Sequence, residues 1–171
     1  MISLYDISIT QFKKSLQNLD KWLEAAAAFA DKKKFDANTL LAARLAPDQL
    51  PFSKQVQIAC DQAKFTAARL TGKQPPSNPD TETTLAELRT RVATTLAYLD
   101  TYKPEDFNGA EERKVPLFGQ KDKGMRGLDY LRERQIANFY FHVVTTYAIL
   151  RHNGVDLGKA DYIGQVAMVD M

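Results

Sequence analysis

Apolar residues recur every three or four positions through most of this chain, the spacing that places them on one face of an α-helix. Near the amino terminus this pattern predicts a helix from Ile9 to Ala30, with Ser3 and Asp6 placed to cap its first turn. Three lysines at 32 to 34 follow, where cations suit the carboxyl end of a helix, so we interpret them as a solvated helix end. The predicted buried face consists of Ile9, Phe12, Leu16, Leu19, Leu23, Ala26 and Ala30.

A second long helix is predicted beyond a short connection. The connection holds a short helix from Asp36 to Leu45 and two prolines that break the chain before residue 52. The long helix extends from about Phe52 to Thr71 and stops at Gly72, a residue type common just after helix ends. Residues 72–80 are dense in turn formers, so we expect an exposed loop there.

A third helix is expected from about Thr81 to Tyr102. Thr84 and Glu87 stand three positions apart near its start, which is the spacing of a capping box. Its predicted apolar face consists of Leu85, Leu88, Val92, Leu96 and Leu99.

The segment from Lys103 to Arg134 is the least regular part of the chain, because two prolines and four glycines interrupt it. Two stretches in it, Lys114 to Phe118 and Met125 to Tyr130, have the composition of short strands around a turn-forming sequence. The sequence therefore predicts a short β-hairpin before the last long helix.

A fourth helix is predicted from about Arg134 to Asn153, ending at Gly154, and it contains both histidines of the chain. It has almost no fully polar face, and a helix that is apolar all round is expected to be buried between other elements. The tail from Asp156 to Met171 is expected to fold back over these helices. The pattern as a whole predicts an all-α protein.

Length and composition restrict the class of protein further. The 171 residues suit one domain, spanning residues 1–171, that buries its core without metal or disulfide. A single cysteine, Cys60, excludes an internal disulfide and suits a reducing, cytoplasmic location. A formal net charge of +2 provides no strong field for nucleic acid, and no apolar run approaches a membrane span. We therefore expect neither a nucleic-acid nor a membrane partner.

Polar residues of the fourth helix fall along one stripe, at about 100° per residue. The second helix carries a matching polar row formed by Gln57, Asp61 and Lys64. We predict that the two lines meet, with His142 facing Gln57 and Asp61 in a polar pocket that binds a small molecule. The candidate pocket residues are His142, Asp61, Gln57, Asn138, Thr145, Thr146 and Tyr147.

Five segments of the chain have a specific sequence. They are Asn138–His142, Thr145–Val155 and Gly158–Gly164, with Gln55–Asp61 and Arg69–Gly72 in the second helix. Together they resemble an uncharacterised branch of the DinB/YfiT-like superfamily. The resemblance implies a four-helix bundle in up-down-down-up order, often dimeric, so a homodimer is expected. It also implies a divalent metal held by three histidines, one on the second helix and two on the fourth.

This chain departs from that ligand pattern. It has two histidines, and His152 stands ten residues after His142, about 15 Å along a helix axis and too far to share one ion with it. Threonines 145 and 146 stand where the remaining ligands would be expected. We therefore predict no metal and no other cofactor, with a divalent metal as the less favoured alternative.

Structural explanations compete with functional ones for most of these residues. His142 is either a hydrogen-bonded core histidine or part of a ligand or catalytic pocket, and Tyr147 is more often a packing residue than an acid. Cys60 shares its helix face with apolar residues, which argues against a Cys60 and His142 nucleophile pair. A structural clasp between the helix end and the tail is predicted from Arg151, His152, Asn153, Lys159 and Asp161.

Two classes of function remain open on the sequence. One is a metal-independent binding or structural protein, which the incomplete ligand set favours. The other is a metal-dependent, thiol-transferase-like or hydrolase-like enzyme that uses the His142 pocket, which rests on superfamily analogy alone. The sequence has no phosphate-binding glycine loop, nucleophile elbow or zinc-protease motif that would identify a reaction.

Overall fold

The computed structural model describes residues 3–117, 119–120 and 122–171 of the chain. Its first long helix begins with a π-helical turn, Asp6–Thr10, and continues as α1, Gln11–Lys33. The Asp6 amide donates to the Ser3 hydroxyl over 3.1 Å and the Ser3 amide donates to the Asp6 carboxylate over 3.2 Å, so the predicted cap is confirmed. All seven residues of the predicted apolar face are buried.

The second long helix, α2, spans Phe52–Thr71 as predicted. It ends because Gly72 adopts a left-handed conformation, with φ of 75°, that a residue with a side chain rarely takes. The connection from α1 contains a short 3₁₀ helix, Ala37–Ala42, whose start is capped by the Asp36 carboxylate.

The third long helix, α3, spans Leu85–Asp100 and starts at the predicted capping box of Thr84 and Glu87. One residue of its predicted apolar face differs from expectation, because Leu96 is only partly buried. Thr95 takes the buried position between Val92 and Leu99, which turns Leu96 toward the flank of the helix.

The predicted hairpin is present but shorter. Strand β1, Lys114–Pro116, pairs antiparallel with β2, Gly124–Arg126, and Val115 lies opposite Met125. Phe118, placed in the first strand by the sequence, lies outside the described residues. The second strand ends before Tyr130 because helical structure already begins at Gly127.

The fourth helical segment therefore starts seven residues earlier than predicted. A turn of helix, Gly127–Asp129, leads through a π-helical turn, Tyr130–Gln135, into α4, Ile136–His152. Gly127 permits this start because a Cβ there would lie 1.9 Å from the Ala110 carbonyl oxygen. The sequence pattern missed the first turns because glycine and charged residues dominate them.

Contacts between the long helices define their directions. Phe12 stacks on Phe139 and Trp22 packs against Tyr147, so α1 and α4 run parallel. Hydrogen bonds from residues 135 and 142 of the fourth helical segment to residues 62 and 55 of α2 make these two antiparallel. Ion pairs 13 to 100 and 20 to 89 make α1 and α3 antiparallel as well. These directions agree with the expected up-down-down-up order.

The tail folds back onto α1 and contains a short helix, α5, Lys159–Ile163. Asn18 donates to the Tyr162 carbonyl over 3.0 Å and Trp22 donates to the Asp161 carbonyl over 3.1 Å. Residues 165–171 are exposed, and Gln165, Val166 and Ala167 line a shallow cavity with residues of α1, so the tail follows α1 at least as far as Ala167.

The expectation that the fourth helix is buried on all sides is wrong. Phe141 and Val144 are 53% and 46% exposed. The reason is that α4 packs against α1 on one side and α2 on the other, which leaves a third side of the helix uncovered. Within the described residues, no helix is both long enough and apolar enough to cross a membrane.

Candidate functional site

His142 forms a buried hydrogen-bonded pair with Gln55, across the contact between α4 and α2. The two side chains meet through His142 Nδ1 and Gln55 Oε1 at 2.7 Å, and Gln55 Nε2 donates to the Leu50 carbonyl over 2.9 Å. Because the Gln55 amide nitrogen is the donor to Leu50, its oxygen accepts, and His142 Nδ1 must carry the proton. The neutral imidazole therefore has its lone pair on Nε2.

The pairing differs from the predicted one, in which His142 faced Gln57 and Asp61. Gln57 Nε2 instead donates to Glu82 over 2.7 Å, and Asp61 accepts from Arg91 over 2.9 Å. Gln55 precedes Gln57 by two residues, about 200° around a helix. The face of α2 toward α4 therefore carries Gln55, while the polar row predicted to meet His142 turns toward α3 and the loop before it.

A second group of polar side chains lies in the same helix contact. Gln135 Nε2 donates to Gln62 over 3.1 Å and to Thr66 over 3.0 Å. Gln55 and Gln62 are seven residues apart on α2, and Gln135 and His142 are seven apart on the partner segment. Gln57 and Lys64 of the predicted row are also seven residues apart, so spacing does not distinguish the two rows, and the packing of the helices selects Gln55.

Most of the other candidate pocket residues of α4 bond to nearby backbone or pack against α1. Thr145 and Thr146 donate to the carbonyls of Phe141 and His142, four residues back in the same helix. Tyr147 packs against Trp22 of α1, with its hydroxyl 3.4 Å from the Leu157 carbonyl. Asn138 is half-buried on the same stripe. The structure therefore does not turn Tyr147 toward the His142 pair.

Burial lowers the pKa of His142 below its ordinary value of about 6.5. We expect Asp61→Asn to leave this pKa unchanged, because Asp61 is bonded to Arg91 and Gln55 is neutral. The unfolded chain binds the proton more readily, so the contribution of His142 to stability falls as pH drops below about 6.5. NMR titration of the His142 ring in the wild-type and Asp61→Asn proteins tests the expected equality of the two pKa values. A shifted midpoint in the variant would contradict it.

The three-histidine metal site of the superfamily does not fit these residues. Gln55 stands beside His142 with its oxygen already accepting from the ring, and the Thr146 hydroxyl donates to a backbone carbonyl. Over residues 3–117, 119–120 and 122–171, no group of three His, Cys, Asp or Glu side chains is placed to hold a metal. His142 Nε2 is thus one donor where a transition-metal site needs three or four.

Cys60 is not part of this site. It is buried on α2 beside Thr95 of α3, and burial raises the pKa of its thiol to about 12. A thiol with that pKa is almost entirely protonated at neutral pH, so it is a poor nucleophile.

The polar row of α2 belongs to a buried ionic cluster centred on Arg91. The Arg91 side chain is 3% exposed and contacts Asp61 and Glu82 at 2.9 Å and Asp80 at 3.3 Å. Lys64 adds a second contact to Asp61 at 2.9 Å. Two of the carboxylates lie in the loop before α3, so this cluster attaches that loop to α2 and α3.

At the predicted clasp beyond α4, Arg151 and Asn153 bind backbone carbonyls of the helix end and the returning chain, as expected. Arg151 donates to the Val155 carbonyl over 3.2 Å and Asn153 donates to the Ile149 carbonyl over 2.8 Å. Asp161 accepts from the Gly158 amide over 2.7 Å, at the start of α5. His152 and Lys159 are exposed. Backbone carbonyls and amides, and not pairs among these side chains, therefore hold this turn.

Comparison with known proteins adds to this geometry. A family model described as a domain of unknown function, DUF1993, matches residues 4–163. A solved structure of a DinB family member protein from Shewanella denitrificans is 45% identical, with a TM-score of 0.95 over 98% of this chain and 96% of that one. A comparison with curated proteins gives no match. The family model covers most of the chain and the solved structure shares its fold throughout, so the chain belongs to the DUF1993 family and is a DinB-like helical protein.

Proposed function

We propose that this protein is a metal-independent binding protein whose site is a polar pocket between α2 and α4, around His142. The observation that carries the proposal is the bond between Gln55 and His142 Nδ1, which leaves Nε2 of a neutral ring as an acceptor. Gln55 orients the ring through this bond, because its own amide nitrogen is held by the Leu50 carbonyl. A small molecule with a hydrogen-bond donor suits this acceptor.

Neighbouring apolar surface supports a ligand with an apolar part. Phe141 packs edge-on against the His142 ring, with centroids 5.2 Å apart, and is half-exposed. An aromatic side chain beside a fixed hydrogen-bonding group is a common composition of small-molecule sites. The alternative, an enzyme of the thiol-transferase or hydrolase type, has less support because Cys60 is buried with a raised pKa and faces α3.

The proposal also covers the domain organisation, location, oligomeric state and partners of the protein. A single domain over residues 1–171 is supported by the contacts that α1, α2 and α4 make with one another. A cytoplasmic location is supported by the lone buried cysteine. A homodimer is supported by the exposed apolar side chains of Phe141 and Val144. The low net charge supports a partner other than nucleic acid.

Metal content tests the metal-independent part of the proposal. We expect protein purified without a histidine tag, and then exposed to zinc, nickel or iron and desalted, to retain far less than one ion per chain. The reason is that His142 alone cannot hold a transition metal tightly. Inductively coupled plasma mass spectrometry provides the count.

Two matched variants sharpen that experiment. His142→Ala removes the proposed site, and His152→Ala removes the exposed histidine at the helix end as a control. One ion per chain that is lost in His142→Ala and kept in His152→Ala would refute metal independence. A fragment screen by NMR, in which shifts at α4 disappear only in His142→Ala, would support the binding role.

A further inference from the structure

A basic cavity lies at the carboxyl end of α2, where the hairpin packs against the helix. Its volume is about 390 Å³, and four cationic side chains line it together with Phe65 and the edge of the hairpin. No carboxylate is among the side chains that the structure describes as lining it. The four cations are Arg69, Lys73, Arg113 and Lys114.

Two of the cations are held in place by neutral groups. Arg113 Nε donates to the Leu70 carbonyl over 2.9 Å, and its guanidinium lies so close to Gly72 that a Cβ there would be 2.6 Å from Nη1. Arg69 Nη1 donates to the Tyr130 hydroxyl over 3.0 Å. The Arg69 guanidinium also lies 5.2 Å from the centre of the Phe65 ring. Both guanidinium groups are therefore oriented before any ligand arrives.

The charge of these cations is largely uncompensated. Lys73 pairs with Asp106 at 2.9 Å, whereas no Asp or Glu of the described residues lies within 4.0 Å of the cationic nitrogens of Arg69, Arg113 and Lys114. These three unpaired charges surround one cavity in a chain whose formal net charge is only +2. A cavity lined by one sign of charge attracts ions of the other sign.

We propose that this cavity binds a small phosphorylated organic molecule. Oriented guanidinium groups match the oxygens of a phosphate through paired hydrogen bonds, and Lys114 adds charge without fixed direction. Phe65, Pro75 and Pro116 form apolar walls for the organic part of the ligand. The volume falls within the roughly 300 to 1,000 Å³ of small-molecule sites.

This site is separate from the one around His142. Gln55 and Arg69 lie 14 residues apart on α2, which places them about 21 Å apart along the helix axis. The two proposals can therefore fail independently, because ligand effects at one end of α2 are distinguishable from effects at the other.

Binding of adenosine monophosphate (AMP), followed by NMR of the full chain at constant ionic strength, tests the proposal. We expect AMP to shift amide signals in residues 65–74 and 113–115, with saturation, while adenosine shifts none of them. Inorganic phosphate is the third probe, and we expect it to bind more weakly than AMP because it lacks a part that contacts Phe65. Signals around Gln55 and His142 are expected to stay in place.

Charge reversal at one exposed residue provides the matched comparison. Lys114→Glu is expected to weaken AMP binding about tenfold or more, because it replaces an attraction with a repulsion at the cavity. Lys32→Glu, an identical change at the exposed end of α1, is expected to change the affinity less than about twofold. Circular dichroism confirms that both variants are folded.

Four results would overturn the proposal. They are no saturable shift at millimolar AMP, an equal loss of affinity in Lys114→Glu and Lys32→Glu, AMP binding no tighter than inorganic phosphate, and tighter binding of a single-stranded oligonucleotide than of AMP. The third would make the cavity a site for inorganic anions, and the fourth would make it a nucleic-acid site.

Discussion

Replacing Arg91 with methionine is expected to lower the free energy of unfolding by about 3 kcal/mol. The substitution keeps most of the side-chain volume but removes the guanidinium that contacts Asp61, Asp80 and Glu82. The carboxylates would then face one another without their shared partner, and Asp61 would keep only its contact with Lys64. Urea denaturation of the wild-type and variant proteins measures the difference.

Arg89→Met is the control for this prediction, because Arg89 is two residues away and also pairs with a carboxylate. Its side chain is 41% exposed and pairs with Asp20 at the surface, so its removal is expected to cost less than about 1 kcal/mol. Equal losses in the two variants would show that burial of Arg91 contributes nothing beyond a surface ion pair. A shared change in the denaturant slope would instead indicate altered compactness.

Leu19→Ala is expected to cost about 2 to 5 kcal/mol, because Leu19 is fully buried in the core between the long helices. The loss combines the transfer of the removed methyl and methylene groups with the cavity that they leave. The shift in the urea midpoint measures it. Lys33→Ala, at the exposed end of α1, is the control and is expected to change the midpoint little.

Leu96→Ala tests whether the loss of stability follows the degree of burial. The sequence pattern treated Leu96 as equivalent to Leu19, but the structure leaves it only partly buried. We therefore expect a cost clearly below that of Leu19→Ala, because less apolar surface returns to water and neighbouring side chains can close the gap. A Leu19→Ala midpoint indistinguishable from that of Lys33→Ala would contradict the assignment of the core.

Local sequence determined the buried face of α1, the end of α2 and the start of α3. The Thr84 and Glu87 capping box starts α3, Gly72 stops α2, and the three-and-four spacing from Ile9 to Ala30 defines the buried face of α1. Caps, stops and apolar spacing each involve groups a few residues apart, so they can be recognised without knowledge of the distant partners, although packing supplies most of the stability of the helices.

The partners of polar side chains were decided by tertiary structure. The sequence predicted that His142 would face the row of Gln57 and Asp61, but the rotation of α2 places Gln55 against it. Side chains two positions apart on a helix, such as Gln55 and Gln57, point about 200° apart. The rotation of α2 about its axis therefore decides which of them faces α4. Arg91 pairs with Asp61 of that row, but the sequence assigned it no role because its partners come from α2 and from the loop before α3.

The uncovered side of α4 and the basic cavity were also decided by tertiary structure. Periodicity shows that a helix is apolar, but not how many neighbours surround it, so the exposure of Phe141 could not be read from sequence. The cavity combines side chains from residues 65–75 with others from 113–116. Segments so far apart along the chain approach each other only because α2 and the hairpin lie side by side. The local spacing of apolar and polar residues does not contain this information.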